Sequence, residues 1–293
     1  MTDLELARRY YAEELRAVAN LGSEALVKAF AKVPREHFLG PGPWQVFSAN
    51  SESDWTTKAA DPRALYHNLL VVIDAERRLN NGLPSFLAFL IDQLELKEGE
   101  HAVHVGCGPG YYTAVMAEVV AGHGHVTAIE IDSRLAARAR SNLSYLPHVK
   151  VFEADGGAHD PGPCDAILVN AGATHPRSIW LDSLRPGGRL LLPLTASDDE
   201  GGTSGGILKV KRQQGGLEAI FISRVGIFPC SGARDPDLND KLNGAFDRGD
   251  WKSVQSLRRD PHDPTDTCWL HAESFCLSKL AVSDPGREQR VER

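Results

Sequence analysis

One stretch constrains this chain more than any other: His101 to Asp132, HAVHVGCGPGYYTAVMAEVVAGHGHVTAIEID. A short apolar run, Ala102 to Val105, enters a turn made of Gly106-Cys107-Gly108-Pro109-Gly110. A helix-like segment follows, Tyr111 to Val120, and then a second apolar run that ends in Glu130. Strand, glycine loop, helix, strand and acid, in that order, describe the nucleotide-binding half of a doubly wound α/β sheet. Glycines let backbone approach a ligand closely and leave N–H groups exposed at a helix N-terminus. An acid at the end of the second strand can accept both hydroxyls of a ribose. The stretch therefore predicts a ligand that carries one.

The loop narrows the choice of nucleotide. Gly106, Gly108 and Gly110 are spaced G-x-G-x-G, which lacks the third-glycine spacing of a dinucleotide fingerprint and counts against an NAD-dependent oxidoreductase. No Lys-Ser/Thr pair follows to mark a triphosphate. A nucleoside with a charged, phosphate-free tail fits better, and S-adenosylmethionine is the obvious one, leaving as S-adenosylhomocysteine after transfer. Asp155-Gly156, at the end of the third strand, would face the crevice where such sheets bind ligands and accept from an adenine amino group. The expected cofactor contacts are Gly106, Cys107, Gly108, Gly110, Tyr111, Glu130, Ile131, Asp155, Gly156 and Asn170.

Charge and cysteine usage bound the setting. With 32 Lys plus Arg against 39 Asp plus Glu, the formal charge is −7, so no basic field exists to draw in nucleic acid. The five cysteines (Cys107, Cys164, Cys230, Cys268 and Cys276) have no C-x-x-C spacing, which reads as a reducing, cytoplasmic setting. Cys268, His271 and Cys276, with His262 nearby, match no standard zinc spacing, and no metal is expected. The N-terminal residues are charged and helical rather than a signal peptide. No apolar run approaches ~20 residues, so no membrane span is expected.

Along the chain, helical periodicity marks Leu4 to Ala19 and Ala25 to Val33. Residues 44 to 68 lack clean periodicity and are expected to be irregular. Leu69 to Ile73 reads as a strand, Asn80 to Ser85 as a turn, and Pro84 as the first turn of a helix running through Leu94. Helix and strand then alternate from Ser133 to Leu194, with Arg185-Pro186-Gly187-Gly188 a turn and 197–206 a loop. Ile207 to Arg212 and Leu217 to Ile227 form a hairpin. Asp235 to Phe246 and Asp250 to Arg258 are predicted helices, Phe275 to Val282 a strand, and 283–293 a disordered end. The expected division is 1–95 as a helical, substrate-capping region, 96–230 as the cofactor core and 231–293 as an extension packed on it.

Together these stretches resemble protein-L-isoaspartate O-methyltransferases over roughly residues 4 to 230. Val33 to Phe38, VPREHF, is similar to that family's N-terminal signature, and VGCGPGYYT at Val105 to Thr113 to its cofactor loop. Asp155-Gly156 stands where the family has its Asp-Gly pair. CDAILVNAGA followed by LRPGGRLLLPL, and the closing Val225-Gly226-Ile227-Phe228-Pro229, also resemble it. The resemblance implies a Rossmann-like methyltransferase sheet with N-terminal helices and a small C-terminal extension. It also implies transfer of methyl from S-adenosylmethionine to a carboxylate. Two departures stand out. The family's Thr-Ile-Ser-x-Pro segment here reads Asn80-Asn81-Gly82-Leu83-Pro84, with Gly82 in place of the serine. A glutamine expected after the fifth strand is absent around Gly202 to Gly205.

The acceptor is therefore expected to be a peptide or protein carboxylate, or a small-molecule acid. Asn81, Gly82, Pro84 and Ser85 are its candidate contacts, and the oligomeric state is left open. A carboxylate with a pKa near ~4 is already ionised at neutral pH and needs no general base. Asn80, Asn81 and His175 are the catalytic candidates, with His67 considered beside them. Two rival readings stand: a specialised peptide or small-molecule methyltransferase of a biosynthetic pathway, and a non-catalytic protein that binds S-adenosylmethionine.

Overall fold

The computed structural model describes residues 2–47, 54–197 and 202–282. The chain divides into two compact units, Met1–Glu153 and Ala154–Arg293. These limits differ from those expected at 95 and 230. The N-terminal helices share a unit with the glycine loop, and the extension shares one with the strands that precede it.

The first unit opens with α1 (Asp3–Ala19), α2 (Glu24–Lys32) and α3 (Glu36–Leu39). Thr2 and Glu5 close a reciprocal capping box at the start of α1, and the Ser23 hydroxyl accepts from the Leu26 N–H to start α2. Tyr11 packs edge-on against Tyr66 and Phe30, with ring centroids 5.6 and 6.3 Å apart. Arg35, from the VPREHF segment, is fully buried and donates to the carbonyls of Leu65, His67 and Leu69. Those carbonyls partner both terminal nitrogens of the buried guanidinium and offset much of its desolvation, while Nε has no hydrogen-bond partner. The segment is thus a fastener between the helices and residues 65–69.

Residues 44–47 and 54–68 are more regular than the expected irregular segment 44–68; 48–53 lie outside the described residues. β1 (Gln45–Phe47) pairs antiparallel with β2 (Asp54–Thr56) and with β3 (Leu70–Asp74), and β3 pairs with β4 (Leu79–Asn80). Trp44, Val46, Leu65 and Val71 bury together with Leu39, a cluster assembled from alternate positions too sparse to show as a period. α4 (Pro84–Gln93) starts on its proline as expected. The parallel portion of the unit is β5 (His101–Val105), β6 (His125–Glu130) and β7 (Val149–Glu153), in the order β5-β6-β7. α5 (Tyr111–Val120) and α6 (Ser133–Asn142) form the crossovers. Every residue of β5 is buried, and its two histidines are accommodated by Thr127, on His101 Nε2, and Thr113, on His104 Nδ1.

In the second unit β8 (Cys164–Val169) leads through α7 (Ser178–Ser183) to its parallel partner β9 (Leu184–Ser197). The register passes from Cys164↔Leu184 to Ala166↔Arg189, so Arg185 to Gly188 loop out of the pairing as the predicted turn. β10 (Thr203–Gln213) and β11 (Gly216–Val225) follow antiparallel. Because Thr203 already pairs with Ser197, the expected loop at 197–206 is shorter than read; 198–201 lie outside the described residues.

α8 (Pro236–Arg248) is capped by the Asp235 side chain. No second helix follows. Gly249 and Asp250 both take positive φ, 81° and 57°, which ends helical geometry. A single 3-10 turn, Trp251–Ser253, leads instead to β12 (Ser256–Arg258), which pairs with β11. β13 (Cys268–His271), absent from the sequence expectation, and β14 (Cys276–Ser278) complete the order β12-β14-β13. Trp269 packs on Phe221 of β11 at 5.2 Å, so the extension continues the same layer. The expected disordered end, 283–293, lies outside the described residues.

Candidate active site

The glycine loop has the backbone its composition demands. Gly106, Gly108 and Gly110 all take positive φ, at 74°, 55° and 98°. Two of the glycines do different work. A Cβ on Gly110 would lie 2.8 Å from Leu143 Cδ1, so this glycine lets the α5 N-terminus pack closely. A Cβ on Gly108 would meet nothing within 4 Å, so the space beside it is open to a ligand. The Asn142 amide donates to the Pro109 carbonyl at 2.9 Å and holds the loop from the side.

Glu130 ends β6 against that loop. Its Oε2 accepts the Gly108 N–H at 2.8 Å and its Oε1 the Asp132 N–H at 3.1 Å. A carboxylate has about four acceptor positions, so two remain for a vicinal diol. Ile131, next in the chain, is 53% exposed and offers an apolar face to a flat ring. Asp132 caps α6 by accepting from the Leu135 N–H at 2.9 Å, and Arg77 pairs with both Asp74 and Asp132.

Two of the expected contacts, Cys107 and Tyr111, have buried side chains. The Tyr111 side chain is buried among Phe38, Phe30 and Tyr112, so only its backbone N–H, on the first turn of α5, can serve a ligand. Burial, with Glu130 close by, pushes the Cys107 thiol well up, so its side chain is a neutral packing group.

The Asn80 to Ser85 turn is built by its own amides. Asn80 Oδ1 accepts the Gly82 N–H at 2.9 Å, and Asn81 Oδ1 accepts the Val71 N–H at 2.9 Å. Asn81 is nearly buried, and its Nδ2 has no hydrogen-bond partner. The Ser85 N–H donates to Asn68 Oδ1, and Tyr112 Oη donates to the Gly82 carbonyl at 3.2 Å. Gly82 takes φ +77°, and a Cβ there would stand 2.9 Å from Leu87 Cδ2. A serine at this position would have to take that left-handed conformation and displace Leu87.

In the second unit, the Asp155 carboxylate accepts the Gly157 N–H at 2.8 Å, and Trp180 Nε1 donates to the Gly156 carbonyl at 2.7 Å. Gly172 and Thr174, which follow the half-buried Asn170, exchange backbone bonds with Phe228, Cys230 and Ala233. That brings Gly232 against Asp155, a neighbour no sequence signal announced. Arg234, which no sequence motif marks, donates to the Thr195 carbonyl at 2.7 Å, Ser197 Oγ at 2.7 Å and Asn239 Oδ1 at 2.9 Å.

His175 is held on both ring nitrogens. Arg177 Nη1 lies 3.3 Å from Nε2, and a guanidinium can only donate, so Nε2 is the acceptor. Nδ1–H then donates to Thr174 Oγ1 at 3.0 Å. Burial, reinforced by the Arg177 charge, lowers its pKa, which keeps the ring neutral. Its lone pair is already engaged, a poor start for a general base. His67, the other histidine considered, is exposed.

The sequence matches the family model described as Protein-L-isoaspartate(D-aspartate) O-methyltransferase over residues 9–219. The chain belongs to that family. Among similar relatives is the protein-L-isoaspartate O-methyltransferase of Hyperthermus butylicus, 32% identical over 204 residues, covering 64% of this chain and 75% of the relative. That of Methanothrix thermoacetophila is 30% identical over 218 residues, covering 72% and 93%. A solved protein-L-isoaspartate O-methyltransferase superposes with a TM-score of 0.62 at 22% identity, covering 82% of this chain and 69% of its own. A putative one from Plasmodium falciparum, in complex with S-adenosyl-L-homocysteine, gives 0.58 at 18% identity, covering 77% and 98%. The family is one of S-adenosylmethionine-dependent carboxyl O-methyltransferases, and the Rossmann-like α/β fold read from the glycine loop is the fold these structures share. Among the described residues, no helix is long and apolar enough to cross a membrane.

Proposed function

We propose that this chain transfers a methyl group from S-adenosylmethionine to a carboxylate of a peptide or protein, with an isoaspartyl side chain as the first acceptor to test. The observation that carries the reading is the pairing of Gly108 with Glu130: open space beside a glycine, and a carboxylate with two acceptor positions left for a ribose. S-adenosylmethionine supplies an electrophilic methyl on a sulfonium. The chain's task is then to orient it and to bring an acceptor oxygen in line.

In this reading the loop amides and Glu130 hold the ribose, and Ile131 covers the adenine. Asp155, Gly156 and Asn170 are assigned to the adenine side by chain order and by the resemblance. An acceptor carboxylate near pKa ~4 arrives ionised, so no side chain has to take its proton. Asn80, Asn81 and Ser85 are assigned to orienting it, and the N-terminal region to capping it. The neutral, doubly bonded His175 is left out of the proton bookkeeping.

Incubation with methyl-labelled S-adenosylmethionine and an isoaspartyl peptide, beside its aspartyl isomer, tests the reading. Label in a base-labile ester on the isoaspartyl peptide alone supports it, and no ester on either peptide counts against it.

One observation favours a narrower acceptor within the same chemistry. Gly82, at φ +77°, stands where the resemblance places the family's serine. The loss of that hydroxyl points to an acceptor contact altered for a specialised peptide or small acid. Ester formation on such a pool, without isoaspartyl activity, would support this second reading.

A further inference from the structure

Four side chains that methyl transfer does not use converge in the C-terminal extension. The ligand atoms offered by His262, Cys268, His271 and Cys276 all lie within 4.8 Å of one another. Strand pairing does most of the gathering. Cys268 and His271 are the two ends of β13, and the antiparallel register sets His271 opposite Cys276, the first residue of β14. The link between β12 and β13 then folds back, so that His262 Nε2 lies 3.7 Å from Cys268 Sγ.

We propose that His262, Cys268, His271 and Cys276 form a structural zinc site. Two thiolates and two imidazoles are a set that zinc takes tetrahedrally, with Zn–S near about 2.3 Å and Zn–N near about 2.0 Å. Those radii put neighbouring ligand atoms roughly 3.3–3.8 Å apart. The His262–Cys268 separation is already such an edge, and the 4.8 Å limit leaves about 1 Å of closure for the longest.

The surroundings prepare the ligands. His262 Nδ1 lies 2.8 Å from the Asp260 carbonyl oxygen, which can only accept, so Nδ1 carries the hydrogen and Nε2 turns its lone pair to the cluster. A ring N–H donated to a backbone carbonyl is the usual outer support of a metal-bound histidine. The Thr265 N–H donates to Cys268 Sγ at 3.4 Å, which favours a thiolate there. His271 Nδ1 is buried with no hydrogen-bond partner. An unpartnered buried nitrogen is costly, and an ion in the cluster gives the ring its missing partner.

Four protein ligands leave no position for water or substrate, so the site is structural and not catalytic. β12, β13 and β14 are three or four residues long, too short to hold a turn-rich link by pairing alone. The ion fastens 259–267 to those strands. The order H-x5-C-x2-H-x4-C conceals the site in sequence, because it interleaves the pairs that common zinc motifs keep apart.

The test is metal analysis of the full chain purified under reducing conditions from zinc-supplemented cells, followed by replacement with cobalt. Expected are one zinc per chain, a thiolate-to-cobalt charge-transfer band with tetrahedral ligand-field bands, and a chelator-dependent fall in Tm. Cys268→Ser should lose the charge-transfer intensity of one thiolate and weaken zinc binding at least tenfold. Cys276 is buried, so its replacement can fail to fold; His262→Ala, on the link, is the second variant and should also weaken zinc at least tenfold. Substoichiometric zinc with no cobalt–thiolate band in the native chain overturns the proposal. So does undiminished zinc in both variants, or a Cys268–Cys276 disulfide in metal-free protein.

Discussion

Gly232 stands so close to Asp155 that a Cβ added to it would lie 1.8 Å from Oδ1 and 2.2 Å from Cγ. No rotation of a methyl group relieves such an overlap, so any larger residue at 232 must displace the carboxylate or the backbone that carries it. The extension thus reaches back to set the position of a residue assigned to the cofactor.

This relationship makes a paired prediction. Asp155→Ala should weaken S-adenosylhomocysteine binding by roughly 1.5–3 kcal/mol, the range for a hydrogen bond to a charged group. Gly232→Ala should lose part of the same amount although it removes no polar atom. Titration calorimetry on both variants decides it. Unchanged affinity in Asp155→Ala would remove that residue from the cofactor's contacts, and unchanged affinity in Gly232→Ala would leave the close approach without consequence.

Gly82 gives a prediction opposite to the one its sequence context suggests. Restoring the family's serine looks like a gain of function, yet φ is +77° and Leu87 Cδ2 lies 2.9 Å from the new Cβ. A left-handed conformation costs a side-chain-bearing residue about 1–2 kcal/mol. Gly82→Ser alone should therefore lower the unfolding free energy by about that much and raise isoaspartyl activity little. Urea melts and ester assays on the single variant check it; a more stable and more active protein would show that the turn relaxes freely.

The buried His104 makes stability depend on pH. Burial lowers its pKa from the ordinary 6.5 to about 4, and its Nδ1 lies 2.8 Å from Thr113 Oγ1. Below pH 6.5 the unfolded chain binds a proton that the folded chain refuses. The neutral ring's contribution is thus complete above pH 6.5 and is lost as pH falls toward 4. Between pH 7 and pH 5 this costs about 2 kcal/mol. His104→Asn keeps a partner for Thr113 and should shrink the drop by that amount in denaturant melts at the two pH values. An equal drop would place the proton uptake elsewhere.

If the acceptor is a carboxylate, methyl transfer at saturating substrates should change less than about twofold between pH 8 and pH 6, since its pKa near ~4 lies far below. His175→Gln should follow the same profile, because the native ring is neutral and engaged by Arg177. Rates measured across this range test both statements. A steep loss centred near 6.5 in the native chain, absent from the variant, would restore His175 as a general base.

What the sequence by itself determined is whatever depends on neighbours in the chain. The glycine loop is legible because three positive-φ positions require glycine, and Glu130 because the strand–loop–helix–strand order places an acid at the end of the second strand. Helix starts at Ser23, Pro84 and Asp235 follow from their own side chains. Only the tertiary structure decided the rest. β12 to β14 are too short to carry a period and exist because β11 offers an edge to pair with. The Tyr111 side chain belongs to the core because helix α2 and Phe38 cover it. Gly232 meets Asp155 across 77 residues of sequence, and His271 meets Cys276 because two strands run antiparallel. Such meetings are set by where strands pair and loops close, and no local pattern of residues encodes them.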